Sequence, residues 1–420
     1  MSRESKHVVV IGAGVVGLCT AYYCAQRGLR VTVIDRDAEE RDGCSFGNAG
    51  MITPSHFVPL AAPGMMALGL KWMWNPESPF YVKPRLDTEL FGWGLKFWRA
   101  ANTEHVKKSA PVLRDLNLAS RECFEELAVL PNNDFGLVTR GLLMLCRTER
   151  AFEHERAFAR QANELGMPAE VLDAKQTAAL EPNITMDIAG SVYFPKDCHL
   201  SPRRFMDGLK QHCNKMGVKF LWGAEVTGFT HHASRITSIN TSTSQITGDE
   251  VVLAAGSWSP FVARELGLKI PMQAGKGYSL TLTKPRQLPQ LCSICTEARV
   301  AVTPMGSSLR FGGTMEIAGL NEDINPVRVR GIIKAVPKYF PKFTPDDFAD
   351  VKPWCGLRPC SPDGLPYVGR AQGFDNLSIA TGHAMMGLSL GPITGKLISQ
   401  IISDEPPSIA ISMLTPNRYA

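Results

Sequence analysis

Residues 8–37 read VVVIGAGVVGLCTAYYCAQRGLRVTVIDRD, and 44–51 read CSFGNAGM. The first stretch predicts a buried strand, a glycine turn, a helix and a second buried strand. Gly12, Gly14 and Gly17 stand in the G-x-G-x-x-G spacing, and Asp35 closes the second strand. Gly12 permits a tight turn, Gly14 lets backbone approach a pyrophosphate, and Gly17 lets the helix pack close to the sheet. The helix N-terminus then faces the phosphates. Asp35 lies 18 residues after Gly17, near the spacing of about 20 at which an acid meets a ribose diol. The glycines alone are weak evidence. Two flanking apolar strands and the acid make a dinucleotide site the better reading than a glycine turn without one.

No second fingerprint follows. An enzyme using both FAD and NAD(P) ordinarily needs two. One site near the start of a long chain suits a flavoprotein whose other substrate is a small molecule, with the flavin carrying the redox chemistry.

Composition narrows the class. A chain of 420 residues exceeds one ordinary core, so two domains are expected. Hydrophobic content of 44% with 20% charged residues describes a globular chain. The net charge of +5 is spread without a polybasic run, which argues against nucleic acid as partner. Residues 8–25, preceded by Arg3 and Lys6, have the look of a signal peptide, but they contain the fingerprint itself. The eleven cysteines are an odd, scattered set that reads as reduced thiols in a cytoplasmic protein. Cys292 and Cys295 form a lone C-x-x-C without the partners that complete a metal site. Gly395-Lys396 lacks phosphate-loop spacing, and neither H-E-x-x-H nor G-x-S-x-G occurs.

Along the chain, residues 53–85 carry five prolines between Pro54 and Pro79, mixed with Met65, Met66, Trp72, Met73, Trp74, Phe80 and Tyr81. They predict a structured excursion that covers a cavity or meets a partner, with a membrane surface or electron acceptor as the other option. Helical spacing marks 87–130 and 150–166, and a strand is predicted at 137–145. Ser201-Pro202 opens a helix that ends near Gly217, followed by a parallel strand, a surface hairpin over 235–250 and a buried strand from 250. Residues 269–330 alternate as an antiparallel sheet. Residues 376–402 predict a second strand–turn–helix unit, whose helix N-terminus also faces the cofactor.

Five blocks resemble one family: VVVIGAGVVGLCTAYY, CSFGNAGMITP (44–54), VVLAAGSWS (251–259), GKGYSLTL (275–282), and GLRPCSPDGLPYVGR with TGHAMMGLSLGPITGKLIS (356–399). The chain resembles the FAD-dependent D-amino-acid oxidase superfamily, in particular its bacterial D-amino-acid dehydrogenase branch, which LAAPGMMALGLKWM (60–73) also resembles. The resemblance implies an α/β fold: a Rossmann-like FAD-binding domain (1–60, 198–262, 352–420) and a discontinuous α+β substrate domain on an antiparallel sheet (61–197, 263–351).

The same resemblance implies that Gly12, Gly14, Val15, Val16, Gly17 and Asp35 hold the pyrophosphate and ribose, with Arg36 and Val226 near adenine. Ser45, Asn48, Ala49, Gly50 and Met51 run along the pyrophosphate and flavin. Ala255, Gly256 and Trp258 pass beside the cofactor. Gly382, His383, Gly387, Leu388 and Ser389 lie at the isoalloxazine ring. Arg358 binds a substrate carboxylate, against the option of a structural arginine at a domain seam. Tyr278 is a second contact or a core aromatic, and His383 lines the pocket without being assigned as a base. Ala384-Met385 after the Gly-His pair departs from glycine oxidases.

The implied reaction is hydride transfer from Cα of a D-amino or imino acid, D-proline-like or D-hydroxyproline-like substrates included. A glycine or sarcosine oxidase and an electron-transfer subunit remain the other readings. The implied acceptor is a quinone, an electron-transfer protein or oxygen. Peripheral membrane contact through 53–85 and a homo-oligomer are both left open.

Overall fold

The strand His7–Ile11 is apolar on both faces, as expected of a strand covered by helices on either side. In the computed structural model, which describes residues 5–73, 75 and 77–420, it sits inside a six-stranded sheet. Strand order across that sheet is Tyr367–Arg370, Leu377–Thr381, Glu250–Leu253, His7–Ile11, Arg30–Ile34 and Lys219–Leu221. All neighbours are parallel except the first pair. Pieces of chain more than 200 residues apart thus build one doubly wound layer.

Two helices define its cofactor edge. Val15–Gln26 follows the glycine turn, and Gly387–Ile402 follows the turn after Leu377–Thr381. They cross at close range because glycines stand at the crossing. A Cβ at Gly395 would lie 2.4 Å from the Cys19 carbonyl carbon, and one at Gly391 would lie 2.9 Å from Val15 Cγ2. Both helix N-termini therefore open on the same side of the sheet.

The second layer is a nine-stranded sheet. Its path runs Trp354–Cys360, Gln273–Leu282, Ser308–Ile317, Val300–Met305, Cys292–Cys295, Leu142–Cys146, Gly190–Phe194 and Glu170–Asp173, with Phe80–Val82 paired to Ser308–Ile317. Most pairs are antiparallel, but two are parallel: Cys292–Cys295 on Leu142–Cys146, and Phe80–Val82 on Ser308–Ile317. The strand carrying Arg358 is an edge of this sheet, so the sheet seam falls after Cys360 rather than at residue 352. The strand foreseen at 137–145 begins at Leu142, after Gly141 in the left-handed region at φ 92°.

The helices Thr88–Ala100 and Thr103–Ala128 fall where the apolar spacing placed them. Asp87 caps the first by accepting from the Glu89 and Leu90 amides, and Asn102 caps the second through His105 N. Within 53–85 a helix spans Met65–Met73. Trp74 lies outside the described residues. Phe57 and Ala61 are fully buried, while Met66 and Leu70 are exposed. None of the described residues in 53–85 walls the central cavity. Among the described residues, no helix is long and apolar enough to cross a membrane.

Every cysteine is unpaired. Cys292 and Cys295 are both buried but belong to different hydrophobic clusters. They stand three apart on one strand, so the pleat sends them to opposite faces. They do not act as a dithiol pair.

Candidate active site

A cavity of about 340 Å³ runs along the C-terminal ends of the parallel strands, where open α/β sheets place their ligands. Its first wall is the glycine turn. Gly12 has φ 105°, and a Cβ there would lie 2.5 Å from Ala254 O on the neighbouring strand. Gly17 is not a wall. A Cβ there would lie 1.8 Å from Gly12 O, so this glycine lets the helix sit directly on the turn. The helix starts after Gly14 with no side-chain cap and no acid in its first turn. That leaves an electropositive end suited to a phosphate. Ser45 Oγ approaches the same end and accepts from Val15 N at 3.0 Å.

Asp35 orders the next section. Its carboxylate accepts from Ala13 N at 2.7 Å and Asp37 N at 2.9 Å, which ties the second strand to the turn. Arg41 completes the corner: it donates to Ala13 O, stands 3.9 Å from Asp35 and lies 4.4 Å over the Trp222 ring. Arg36 stacks 3.8 Å over Trp258 on the opposite wall. A planar group entering here meets the Arg36–Trp258 stack and the segment from Ala224 to Thr227. Arg41 was not singled out from sequence, because the run DAEERD reads as a solvated loop.

The far end is built from both sheets. Leu357, Arg358 and Pro359 enter from the second sheet, and Thr381, His383, Ala384, Gly387 and Leu388 from the final turn and helix. His383 is 3% exposed, and its Nε2 lies 2.9 Å from Thr394 Oγ1. Burial drives its pKa down to about 3, so the ring is neutral. Burial also lowers the Arg358 pKa. Arg358 Nη1 donates to Thr314 O at 2.6 Å, and among the described residues no carboxylate lies within ion-pair distance of this guanidinium. Cys44 lies on the same wall, its thiol pushed up to about 11 by burial.

Of the residues expected to touch cofactor or substrate, Gly12, Gly14, Val15, Val16, Asp35, Arg36, Ser45, Asn48, Val226, Ala255, Gly256, Trp258, Arg358, His383, Gly387 and Leu388 wall this one cavity. Gly17, Ala49, Gly50, Met51, Gly382 and Ser389 stand behind it. Gly50 allows close approach to Leu200 O, and Gly382 accommodates the Tyr367 ring. Ser389 Oγ donates to Asn117 and accepts from Thr53 N.

Tyr278 is a correction. In the ladder, Gly275 pairs with Arg358 and Tyr278 with Cys355. Alternation therefore puts Tyr278 on the face opposite Arg358. Its hydroxyl donates to Glu316 at 2.7 Å and accepts from Asn325 N at 3.3 Å. The ring belongs to the core of the second sheet.

The walls fit FAD. An uncapped helix end suits the pyrophosphate, and the carboxylate of Asp35 suits a ribose diol. The second helix end, beginning at Gly387 without an acid in its first turn, suits the electron-rich edge of a reduced flavin. Among the described residues no group of side chains could hold a metal ion.

Comparison with known proteins agrees with this geometry. A D-amino acid dehydrogenase of Methylobacterium nodulans is 33% identical over 418 residues, spanning 98% of this chain and 99% of the relative. One from Bradyrhizobium diazoefficiens is 30% identical over 98% and 99% of the two chains. Glycine oxidase from Geobacillus kaustophilus shares the fold with a TM-score of 0.79 at 22% identity, covering 99% and 100%. L-proline dehydrogenase from P. horikoshii shares it at 0.74 and 17%, covering 99% and 98%. The FAD dependent oxidoreductase (DAO) family model matches residues 7–401, so the chain belongs to that family of flavoenzymes, with FAD as its cofactor.

Proposed function

We propose that this enzyme oxidises a D-amino or imino acid, including cyclic substrates of the D-proline type, at the Arg358 end of the cavity. The observation that carries the reading is the guanidinium of Arg358. It is a cation on the cavity wall, without a carboxylate partner among the described residues. A substrate carboxylate can take its free N–H donors as a bidentate pair. The relatives named D-amino acid dehydrogenase support the configuration of the substrate.

FAD, when bound, would supply the two-electron acceptor for the hydride that leaves the substrate Cα. The protein's part is orientation. Arg358 fixes the carboxylate at one end, and Leu357, Ala384 and Leu388 give apolar walls for the side chain. His383 is neutral and held by Thr394, so it adds no charge of its own beside the substrate nitrogen. The amine reacts as the free base, the form that desolvation and the neighbouring Arg358 cation favour, with its proton left to solvent. No carboxylate among the described cavity walls stands beside Arg358 as a base for the Cα proton; Asp35, Asp37, Glu225 and Glu265 belong to the other sections. Positioning and electrostatics carry the step. The imine leaves to hydrolyse in water, or stays cyclic when the substrate is an imino acid.

The test is anaerobic bleaching of the bound flavin with paired D- and L-amino acids, D-proline and D-hydroxyproline included. D-selective bleaching is expected. Arg358→Ala should lose about 2–5 kcal/mol of substrate binding. Bleaching by no amino acid, or an unchanged KM in that variant, refutes the reading. Steady hydrogen peroxide with glycine or sarcosine would instead mark an oxidase.

A further inference from the structure

The ladder between Gln273–Leu282 and Ser308–Ile317 breaks its register at one place. Lys276 pairs with Glu316, but Tyr278 pairs with Gly313. Gly277 thus faces two residues, Thr314 and Met315, which makes a β-bulge. Thr314 has φ 62°. A β-branched residue in the left-handed region is a true outlier. Its hydroxyl is buried without a hydrogen-bond partner, so the position is unfavourable on two counts. Strain of this kind persists where the surroundings enforce it, and it clusters at functional sites.

The bulge turns the Thr314 carbonyl toward Arg358, where it accepts from Nη1 at 2.6 Å. Across the ladder, Gly277 leaves room for the guanidinium to lie flat on its backbone. A Cβ at Gly277 would lie 2.1 Å from Nη2, 2.2 Å from Cζ and 2.3 Å from Nη1. The guanidinium is thus held from one side by a carbonyl and from the other by a missing side chain. Nε and Nη2 make no hydrogen bond within the described chain, and Arg358 walls the cavity.

We infer that the strained bulge at Thr314, together with Gly277, is the device that orients the Arg358 fork toward a substrate carboxylate. Thr314 and Gly277 are positioning residues that act through Arg358. The inference rests on the reading of Arg358 as the carboxylate anchor.

Gly277→Ala is the direct test, because the clash falls on the end of a flexible side chain and spares the backbone. To restore an ordinary contact of about 3.4 Å, the guanidinium must move by about 1.3 Å. A misplacement of about 1 Å costs on the order of 10²-fold in rate. The expected result in the FAD-loaded enzyme is a loss of that order in kcat/KM, mainly through KM. Weaker binding of acetate, a bare carboxylate read by the visible absorption of the flavin, should accompany it. FAD affinity and melting temperature should stay at parent values.

Deletion of Thr314 regularises the strand and should lose acetate affinity likewise. Thr314→Asn keeps the carbonyl and tolerates the left-handed region, so parent affinity is expected. If the deletion variant does not fold, Gly277→Ala decides. Parent acetate affinity in Gly277→Ala while Arg358→Ala loses it overturns the orienting device alone. Parent affinity in Arg358→Ala overturns the anchor reading, and this inference with it.

Discussion

Arg418, near the C-terminus of the described chain, neutralises the buried carboxylate of Asp363. It donates to Asp363 through Nε at 2.6 Å and Nη2 at 3.0 Å. It also donates to the carbonyls of Leu365, Pro366, Leu414 and Thr415. Its guanidinium lies 3.9 Å over the Tyr367 ring. The side chains of the pair are 13% and 8% exposed, so Arg418→Ala leaves a buried carboxylate without its cation. Breaking a buried pair in this way costs about 3–5 kcal/mol. With an unfolding entropy of about 2.1 cal/mol/K per residue, the 420 residues give about 0.9 kcal/mol/K. The expected loss in melting temperature is then about 3–6 °C at pH 7. Tyr367 packs on the turn at Gly382, where a Cβ would come within 2.7 Å of the ring, so the variant should also release FAD more readily.

The pH dependence sharpens this test. Burial raises the Asp363 pKa, but the hydrogen bonds and charge of Arg418 outweigh it and hold the carboxyl below its ordinary value. A lowered folded-state pKa gives stability that is present above about pH 4 and lost as pH falls through the folded value. The gap between parent and Arg418→Ala should therefore narrow in acid. Adding Asp363→Asn to the variant removes the orphaned charge and should recover part of the loss at pH 7. Calorimetry from pH 3 to 8 checks all three points. A melting temperature within about 1 °C of the parent at pH 7 refutes the reasoning.

Two further outcomes follow from buried groups. His383, with its pKa driven to about 3, stays neutral across the working range, so kcat/KM against pH should inflect at the same places in the parent and in His383→Asn; an inflection between about pH 6 and 7 that vanishes in the variant contradicts this. Asp197 is fully buried, and burial raises its pKa to about 7 against the opposing hydrogen bonds from Ser55. A raised folded-state pKa makes the parent lose stability as pH rises from about 4 through that value, so Asp197→Asn should gain in melting temperature relative to the parent between pH 5 and pH 8, and a pH-independent difference would rule out Asp197 as the cause.

Much of the cofactor end was legible in sequence, because each feature is local. A glycine turn between apolar strands, an acid at the end of the second strand and an uncapped helix lie within residues 7–35. The backbone reasons for Gly12 and Gly17 hold without knowledge of distant chain. The final strand–turn–helix was legible for the same reason. Arg41 was hidden because nothing local distinguishes it from its charged neighbours. Trp222, which it stacks on, lies 181 residues away.

The sequence by itself determined the nucleotide-binding half: which strands are buried on both faces, where phosphate-binding helices begin, and that one fingerprint serves one dinucleotide. Tertiary structure decided the substrate end. Whether Tyr278 or Arg358 faces the cavity is a matter of strand register, and a shift of one residue exchanges the two faces. The bulge at Thr314, the crossing at Gly391 and Gly395, and the membership of the Arg358 strand in the second sheet all depend on what lies opposite in space. Periodicity tells which residues share a face. It does not tell which face meets the cofactor, and here that choice separates the anchor candidate from a core tyrosine.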